Sequence, residues 1–443
     1  MRRVLIVSPH FPPVNAADHQ RVRMSLLYLA EFGWNATVLG VKPNATEGMP
    51  VDSLLEETIP SEINVCRTGA VAHGFTRRIG LGNLALRSLP YLWRAGNRLL
   101  SQEQFDLVFF STTQFPVMIL GPKWKRRFGV PYVVDFQDPW LDDYYERTGT
   151  SPPGGKVRHR LSGFLAKQLE PRVMRDTSQV LAVSPAYIET FRTRYPHLRE
   201  DQFTALPFGA PERDFEFLAT ASVQQRVFDK TDGKRHLVYV GRAGPDMRSA
   251  LGLLFSALAQ SIRCRSDAWH NVRLHFIGTS YAPLGRAEKT VEPIAHEFGV
   301  GHLVEERTDR IGYFEALQAL VEADGLLVIG SDSASYTPSK IYPYVLARRP
   351  LLAILHEKSP AAEILLRCRA GHLVPFPEDG SGAALQRAVD ALKATWWDIE
   401  SETAPDVDWQ EFSQYTAREM TRKQCQVFDR AVAGTNRQRR RNT

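Results

Sequence analysis

The sequence predicts an α/β protein of two doubly wound domains, each a parallel sheet with helices on both faces, facing one another across a cleft. Three observations lead there. Apolar runs of strand length alternate with helix-length segments along most of the chain. The alternation comes in two series, separated by the polar, turn-rich stretch 210–234. The strands run out into polar or proline- and glycine-containing loops, as they do at the edge of a parallel sheet where ligands bind.

In the first series, "RRVLIVSPHFPP" is a buried strand entering a loop. "QRVRMSLLYLAEFGW" follows with apolar residues at helical spacing and a stop at Gly33, and "NATVLGV" is the next strand. Strand, helix and strand within about 40 residues make a parallel crossover unit. The pattern repeats with strands at 105–112, 131–140 and 178–185. The second series places strands at 235–244, 272–280, 302–311, 323–332 and 349–355, alternating with helical segments. A last helical pattern runs from Asp408 to Ala433, closes at Gly434 and is expected to return to the first domain. The boundaries read as 1–206, 207–407 and 408–443, the last ending in a basic tail, "RQRRR", read as a disordered end.

The 443 residues, 43% of them hydrophobic, suffice for two cores of ordinary size. Four scattered cysteines, without metal-ligand spacing, argue against a disulfide framework and a zinc site. No apolar run matches a signal segment or a spanning helix, so the expected location is cytoplasmic. The net charge of +6 is unevenly spread: residues 75–100 hold five arginines and no acid, and "KWKRRF" at 123–128 adds four more cations. Apolar residues from Leu81 to Leu99 form one helical stripe there, Arg87, Arg94 and Arg98 line another face, and Pro90 could split the segment into two helices. Arginines beside tryptophans suit an anionic membrane surface, peripherally bound, and equally an ordinary solvated helix. No nucleic-acid recognition motif accompanies the basic residues.

There is no Walker A lysine motif and no GxGxxG after a strand, which weakens the common ATPase and dinucleotide readings. What remains are loops suited to a diphosphate. "VGRAGPDMRS" leaves a strand through Gly241. Arg242 is a fork able to pair with phosphate oxygens, Gly244 permits close backbone approach, and Arg248 opens the next helix. In "YTPSKIYPYVLARRP", Thr337 is a natural N-cap, Pro338 suits the first helical position, and the amides of Ser339 and Lys340 make an anion site. Pro343 weakens that helix by about 3 kcal/mol unless it bends.

These stretches, with "SPHFPPVNAADHQR", "VVDFQDPW", "LAVSPAYIETFRTRYP", "LPFGAP" and "LHFIGTS" in this order, resemble the family-four glycosyltransferases of the GT-B fold, which have two Rossmann-like domains. The resemblance implies that the first domain receives an acceptor and the second a nucleotide-diphosphate-sugar, with Arg242, Ser339 and Lys340 at the diphosphate and Tyr336 in the same motif. Two positions depart from the family pattern. Ala16 and Ala17 replace a glycine pair, and Ser335 and Pro343 stand where members often carry two glutamates, the second holding the ribose. Asp332 is the substitute considered for that role.

The family implies retention of anomeric configuration, with the departing diphosphate taking the acceptor's proton. Arg242 and Lys340 then carry the catalytic charge, backed by Arg248, and no metal or other cofactor is required. Asp138 is placed to orient or deprotonate an acceptor hydroxyl, or else to cap a turn before Pro139, while Asp135 fixes the loop. His10, Asn15 and His19 lie on the acceptor side in the first loop. A glycan or lipid-linked acceptor in surface polysaccharide assembly fits the basic face. A non-catalytic nucleotide-sugar-binding protein and a sugar-nucleotide epimerase are the alternatives.

Overall fold

The computed structural model describes residues 1–46, 48–74, 82–141, 156–264, 269–280, 287–332, 341–376, 382–396 and 404–441. The chain divides into two compact units, Met1–Gly209 with Ala417–Thr443, and Ala210–Thr416.

The first unit is a seven-stranded parallel sheet. Its strands are β1 (Arg2–Val7), β2 (Trp34–Val41), β3 (Asn64–Thr68), β4 (Leu107–Ser111), β5 (Tyr132–Phe136), β6 (Gln179–Ala182) and β7 (Phe203–Ala205), in the order β3-β2-β1-β4-β5-β6-β7. Both faces are covered, which is why "VLIV" and "LVFF" read as unbroken apolar runs. Leu5, Val7, Val108 and Phe110 pack on one face with Leu92 and Trp124 from the helices Leu84–Gln102 and Leu120–Phe128. Val4, Ile6, Leu107 and Phe109 pack on the other with Val22, Met420 and Phe428.

Phe428 belongs to the long helix Ala417–Arg441 and meets the rings of Trp34 and Phe109 edge-on at 5.3 and 4.9 Å. Its burial is worth roughly 2–3 kcal/mol and ties the end of the chain to the first sheet. On the opposite face the two helices meet through Gly96, where an added Cβ would fall 2.1 Å from the Trp124 ring.

The second unit is a six-stranded parallel sheet in the order β10-β9-β8-β11-β12-β13. Its strands are β8 (Arg235–Val240), β9 (Val272–Ile277), β10 (Val304–Arg307), β11 (Gly325–Ile329), β12 (Leu351–His356) and β13 (His372–Phe376). One face packs Leu237, Tyr239, Phe276 and Ile329 against Leu251, Leu254, Phe255 and Leu258 of the helix Arg248–Cys264.

In each sheet the strand order reverses once, between β1 and β4 in the first and between β8 and β11 in the second. The loops after those strands are where an open sheet leaves room for a ligand.

Several expectations change. The first helix stops at Leu26, followed by a tight turn at Leu29–Phe32, because Tyr28 leaves the helical region. Pro90 does not divide Leu84–Gln102, since it lies on the exposed side and packing of Leu92 and Leu99 carries the helix past it. Gly434 does not end the last helix, which continues to Arg441 through the stretch expected to be disordered. The polar stretch 210–234 opens with a helix, Glu212–Thr220, inside the second unit. Leu81 lies outside the described residues.

Candidate functional site

The second unit's reversal point is built from the loop after β8. Gly241 turns out of the strand with φ +139, a backbone geometry that side chains disfavour, and its amide bonds the Ile277 carbonyl at 2.8 Å. The Tyr344 hydroxyl accepts from the Val240 amide at 2.7 Å, anchoring the helix Ile341–Leu346 to the end of β8. Arg242 then forks onto Asp246, Nη1 donating to Oδ2 at 3.0 Å and Nη2 to Oδ1 at 2.5 Å. Both side chains are about one third exposed, at 34% and 27%.

Gly244 makes room for this pair: a Cβ there would lie 2.2 Å from Arg242 Nη2 and 2.4 Å from Asp246 Oδ1. Burial raises the Asp246 carboxyl, but the hydrogen bonds and charge of Arg242 outweigh it and hold the carboxyl below its ordinary range. The Asp332 amide bonds the Asp246 carbonyl at 2.7 Å, joining the loops after β8 and β11. Asp332's own carboxyl is pushed up, chiefly by loss of solvent and further by the Asp246 charge, against the opposing hydrogen bonds from Ser249.

Arg248 begins the next helix, but its guanidinium pairs at 2.5 Å with exposed Glu297, not with Asp246. Ser335, Tyr336, Thr337, Pro338, Ser339 and Lys340 lie outside the described residues. Pro343 is the third residue of the helix Ile341–Leu346.

The first unit's reversal point joins the loops after β1 and β4. His10 Nδ1 lies 3.0 and 3.2 Å from the two Asp18 oxygens. Asp18 Oδ2 also accepts from the Thr112 hydroxyl at 2.9 Å, the Thr113 amide at 3.2 Å and the Thr113 hydroxyl at 3.1 Å. Burial opposes ionisation of Asp18, yet the His10 charge and these donors lower its carboxyl to about 2. Gln137, after β5, closes the group by donating to the Asp18 carbonyl at 2.8 Å and to Ser111 Oγ at 3.0 Å.

The remaining residues of this loop divide by burial. His19 is fully buried, its Nε2 bonded to the Val14 carbonyl at 2.7 Å and its Nδ1 sealed without a partner, and burial lowers its pKa to about 4. It holds the loop instead of facing an acceptor. Asn15 is buried, with its amide on the Pro50 carbonyl. Asp135 is fully buried and accepts from Arg21 Nε at 2.8 Å and the Ser111 hydroxyl at 2.7 Å. Arg21 continues to the Leu206 carbonyl at 2.6 Å, so the pair pins the end of β5 to the last stretch of the unit. Asp138 is exposed in the bend that follows.

Arg87, expected on the basic face, is buried instead, donating to the Val71 and Ala45 carbonyls. Arg94, Arg98, Lys123, Arg126 and Arg127 are exposed on two adjoining helices, whose Trp93 and Trp124 rings stack at 6.3 Å. Among the described residues no helix is long and apolar enough to cross a membrane, and no three His, Cys, Asp or Glu side chains are grouped to hold a metal ion.

Asp246 and Asp18 are the site carboxylates that sequence reading missed, along with Thr112, Thr113, Gln137 and Tyr344 around them. Each carboxylate follows its partner by a short interval in one loop, four residues after Arg242 and eight after His10, and that spacing was the only signal available.

Residues 19–209 match the family described as Glycosyl transferase 4-like domain. No curated protein matches the chain in sequence. Among solved structures it is similar to Anabaena Alr3699/HepE in complex with UDP and glucose, at 16% identity and a TM-score of 0.51, covering 100% of this chain and 99% of that one. It is also similar to the α,α-trehalose 6-phosphate synthase of Burkholderia multivorans, at 13% identity and a TM-score of 0.58 over 99% and 98% of the two chains. The N-terminal domain of Candida albicans trehalose-6-phosphate phosphatase gives a TM-score of 0.61 at 14% identity, over 97% of each chain. Two parallel-sheet units in this order give the chain the GT-B fold, and the first of them carries the match to the Glycosyl transferase 4-like domain.

Proposed function

We propose that the protein transfers a sugar, with retention of configuration, from a nucleotide-diphosphate-sugar to a glycan or lipid-linked acceptor in surface polysaccharide or glycoconjugate assembly. The observation that carries the reading is Arg242. It is a guanidinium at the second sheet's reversal point, one third exposed and held in its two-pronged geometry by a carboxylate. A diphosphate presents the same paired oxygens as Asp246 with more charge, so it exchanges for Asp246 on the fork. Charge developing on the leaving group is then met by Arg242, together with Lys340, and no metal or other cofactor is required for that step. The UDP and glucose in the Anabaena relative support a nucleotide-sugar as donor.

Calorimetry of the intact chain against UDP, GDP and ADP tests this. Micromolar binding of one of them is expected, and binding of none removes the assignment. Product stereochemistry, read by the NMR coupling of the new anomeric proton, tests retention.

The exposed cations on the two adjoining helices support a peripheral position on an anionic membrane face. Arg94→Glu with Arg98→Glu is expected to lower partitioning onto phosphatidylserine-containing vesicles by more than about tenfold. Unchanged partitioning would remove the membrane part alone.

A further inference from the structure

We propose that Asp18 is a positioning residue that fixes His10 as its Nδ1–H tautomer, so that His10 Nε2 accepts a hydrogen bond from a hydroxyl of the sugar acceptor. The proposal rests on the glycosyl-transfer reading and adds the recognition chemistry of the first unit.

Asp18 is held by neutral donors from Thr112 and Thr113, and as a carboxylate at neutral pH it has only lone pairs to offer. Every group within reach must therefore donate to it. Thr112, Thr113 and the Thr113 amide do so, and His10 is left with the same duty at Nδ1. A neutral imidazole with its proton on Nδ1 carries its lone pair on Nε2.

Nε2 has no hydrogen-bond partner among the described residues and is not one of the sealed, unpartnered nitrogens, in contrast to Nδ1 of His19. The His10 side chain keeps 11% of its surface open, and the Ser8 hydroxyl holds the His10 carbonyl at 2.8 Å, so the ring is presented from a fixed backbone. The group stands where β1 and β4 part, at the ligand edge of the sheet. An aimed lone pair selects an O–H donor. A phosphate or carboxylate would instead require the ring to be protonated.

The test uses the 443-residue chain with ¹⁵N-histidine, His10 being assigned by the signal lost in His10→Gln. Long-range ¹H–¹⁵N spectra at pH 7.5 are expected to show Nδ1 protonated and Nε2 bare; the reverse tautomer, or an imidazolium, would overturn the proposal. In folded Asp18→Asn a mixture of tautomers is expected, and an unchanged Nδ1–H form would remove Asp18's role. Asp18→Glu is expected to restore the tautomer in part.

Methyl α-glucoside and methyl α-mannoside, titrated to tens of millimolar, should shift Nε2, and inorganic phosphate should not. Loss of this single hydrogen bond in Asp18→Asn should raise the glycoside Kd by up to about tenfold. If neither glycoside moves Nε2, the inference fails. A parallel UDP titration separates the two readings: UDP binding with an unresponsive His10 sinks this inference alone, whereas a responsive His10 with no nucleoside diphosphate bound sinks the transferase reading and leaves a sugar site.

Discussion

Each unit of this protein carries an arginine–aspartate pair near the edge where its strand order reverses, and the two pairs have opposite fates. Arg21 and Asp135 in the first unit are completely enclosed, and Arg21 also donates to the Leu206 and Pro207 carbonyls. Arg242 and Asp246 in the second are about one third exposed and share a two-pronged contact that a ligand can replace. A sealed pair cannot exchange its partner without leaving a bare charge in the core, whereas a half-open pair can. Burial, more than residue type, therefore separates the structural pair from the one available for binding.

Four substitutions break or sharpen that contrast, from the largest effect to the smallest. Asp135→Ala strands the Arg21 charge and is expected to cost the first unit about 3–5 kcal/mol in urea unfolding. A loss below about 1 kcal/mol would show that the enclosed pair is not structural. Arg242→Ala is expected to weaken nucleoside diphosphate binding on the order of 100-fold by calorimetry, because charge-assisted hydrogen bonds to phosphate disappear, while the fold's stability barely changes.

Acid unfolding gives the third. Asp18 has its folded carboxyl at about 2 against an ordinary 3.8, so its ionised form stabilises the fold in full above pH 3.8 and that contribution is lost as pH falls through about 2. It amounts to about 2 kcal/mol, and Asp18→Asn should remove that part of the pH slope. A slope unaltered between pH 4 and 2 in the variant would refute the assignment. The smallest effect is expected of Asp246→Asn. Removing the competing negative charge should tighten diphosphate binding by about fivefold at less than about 1 kcal/mol of stability. Weaker binding in this variant would mean that Asp246 assists the ligand instead of competing with it.

Much of the fold was legible because doubly covered strands must be apolar throughout. "VLIV", "LVFF", "YVVDF" and "LVYV" announce themselves, and the alternation of strand and helix followed. The strands that went unseen are the exceptions to that rule. β3, "NVCRT", and β13, "HLVPF", are edge strands with polar or proline positions, and β7 has only three residues. The same limit explains Arg87. Its spacing resembles that of Arg94 and Arg98, yet two carbonyls from distant loops draw it into the interior.

The sequence by itself determined the two series of strands, the positions at which they run out into loops, and Arg242 as a guanidinium beside a glycine-bearing turn, because apolar periodicity and backbone preference act over a few residues. Only the tertiary structure decided which charged groups face one another. That Asp18 meets His10, Thr112 and Thr113, that His19 is sealed, and that Asp246 rather than solvent occupies Arg242 follow from folding loops together at a sheet edge. Burial and hydrogen-bond partners are properties of that convergence, and they set whether a titratable side chain holds the fold or is left free for a ligand.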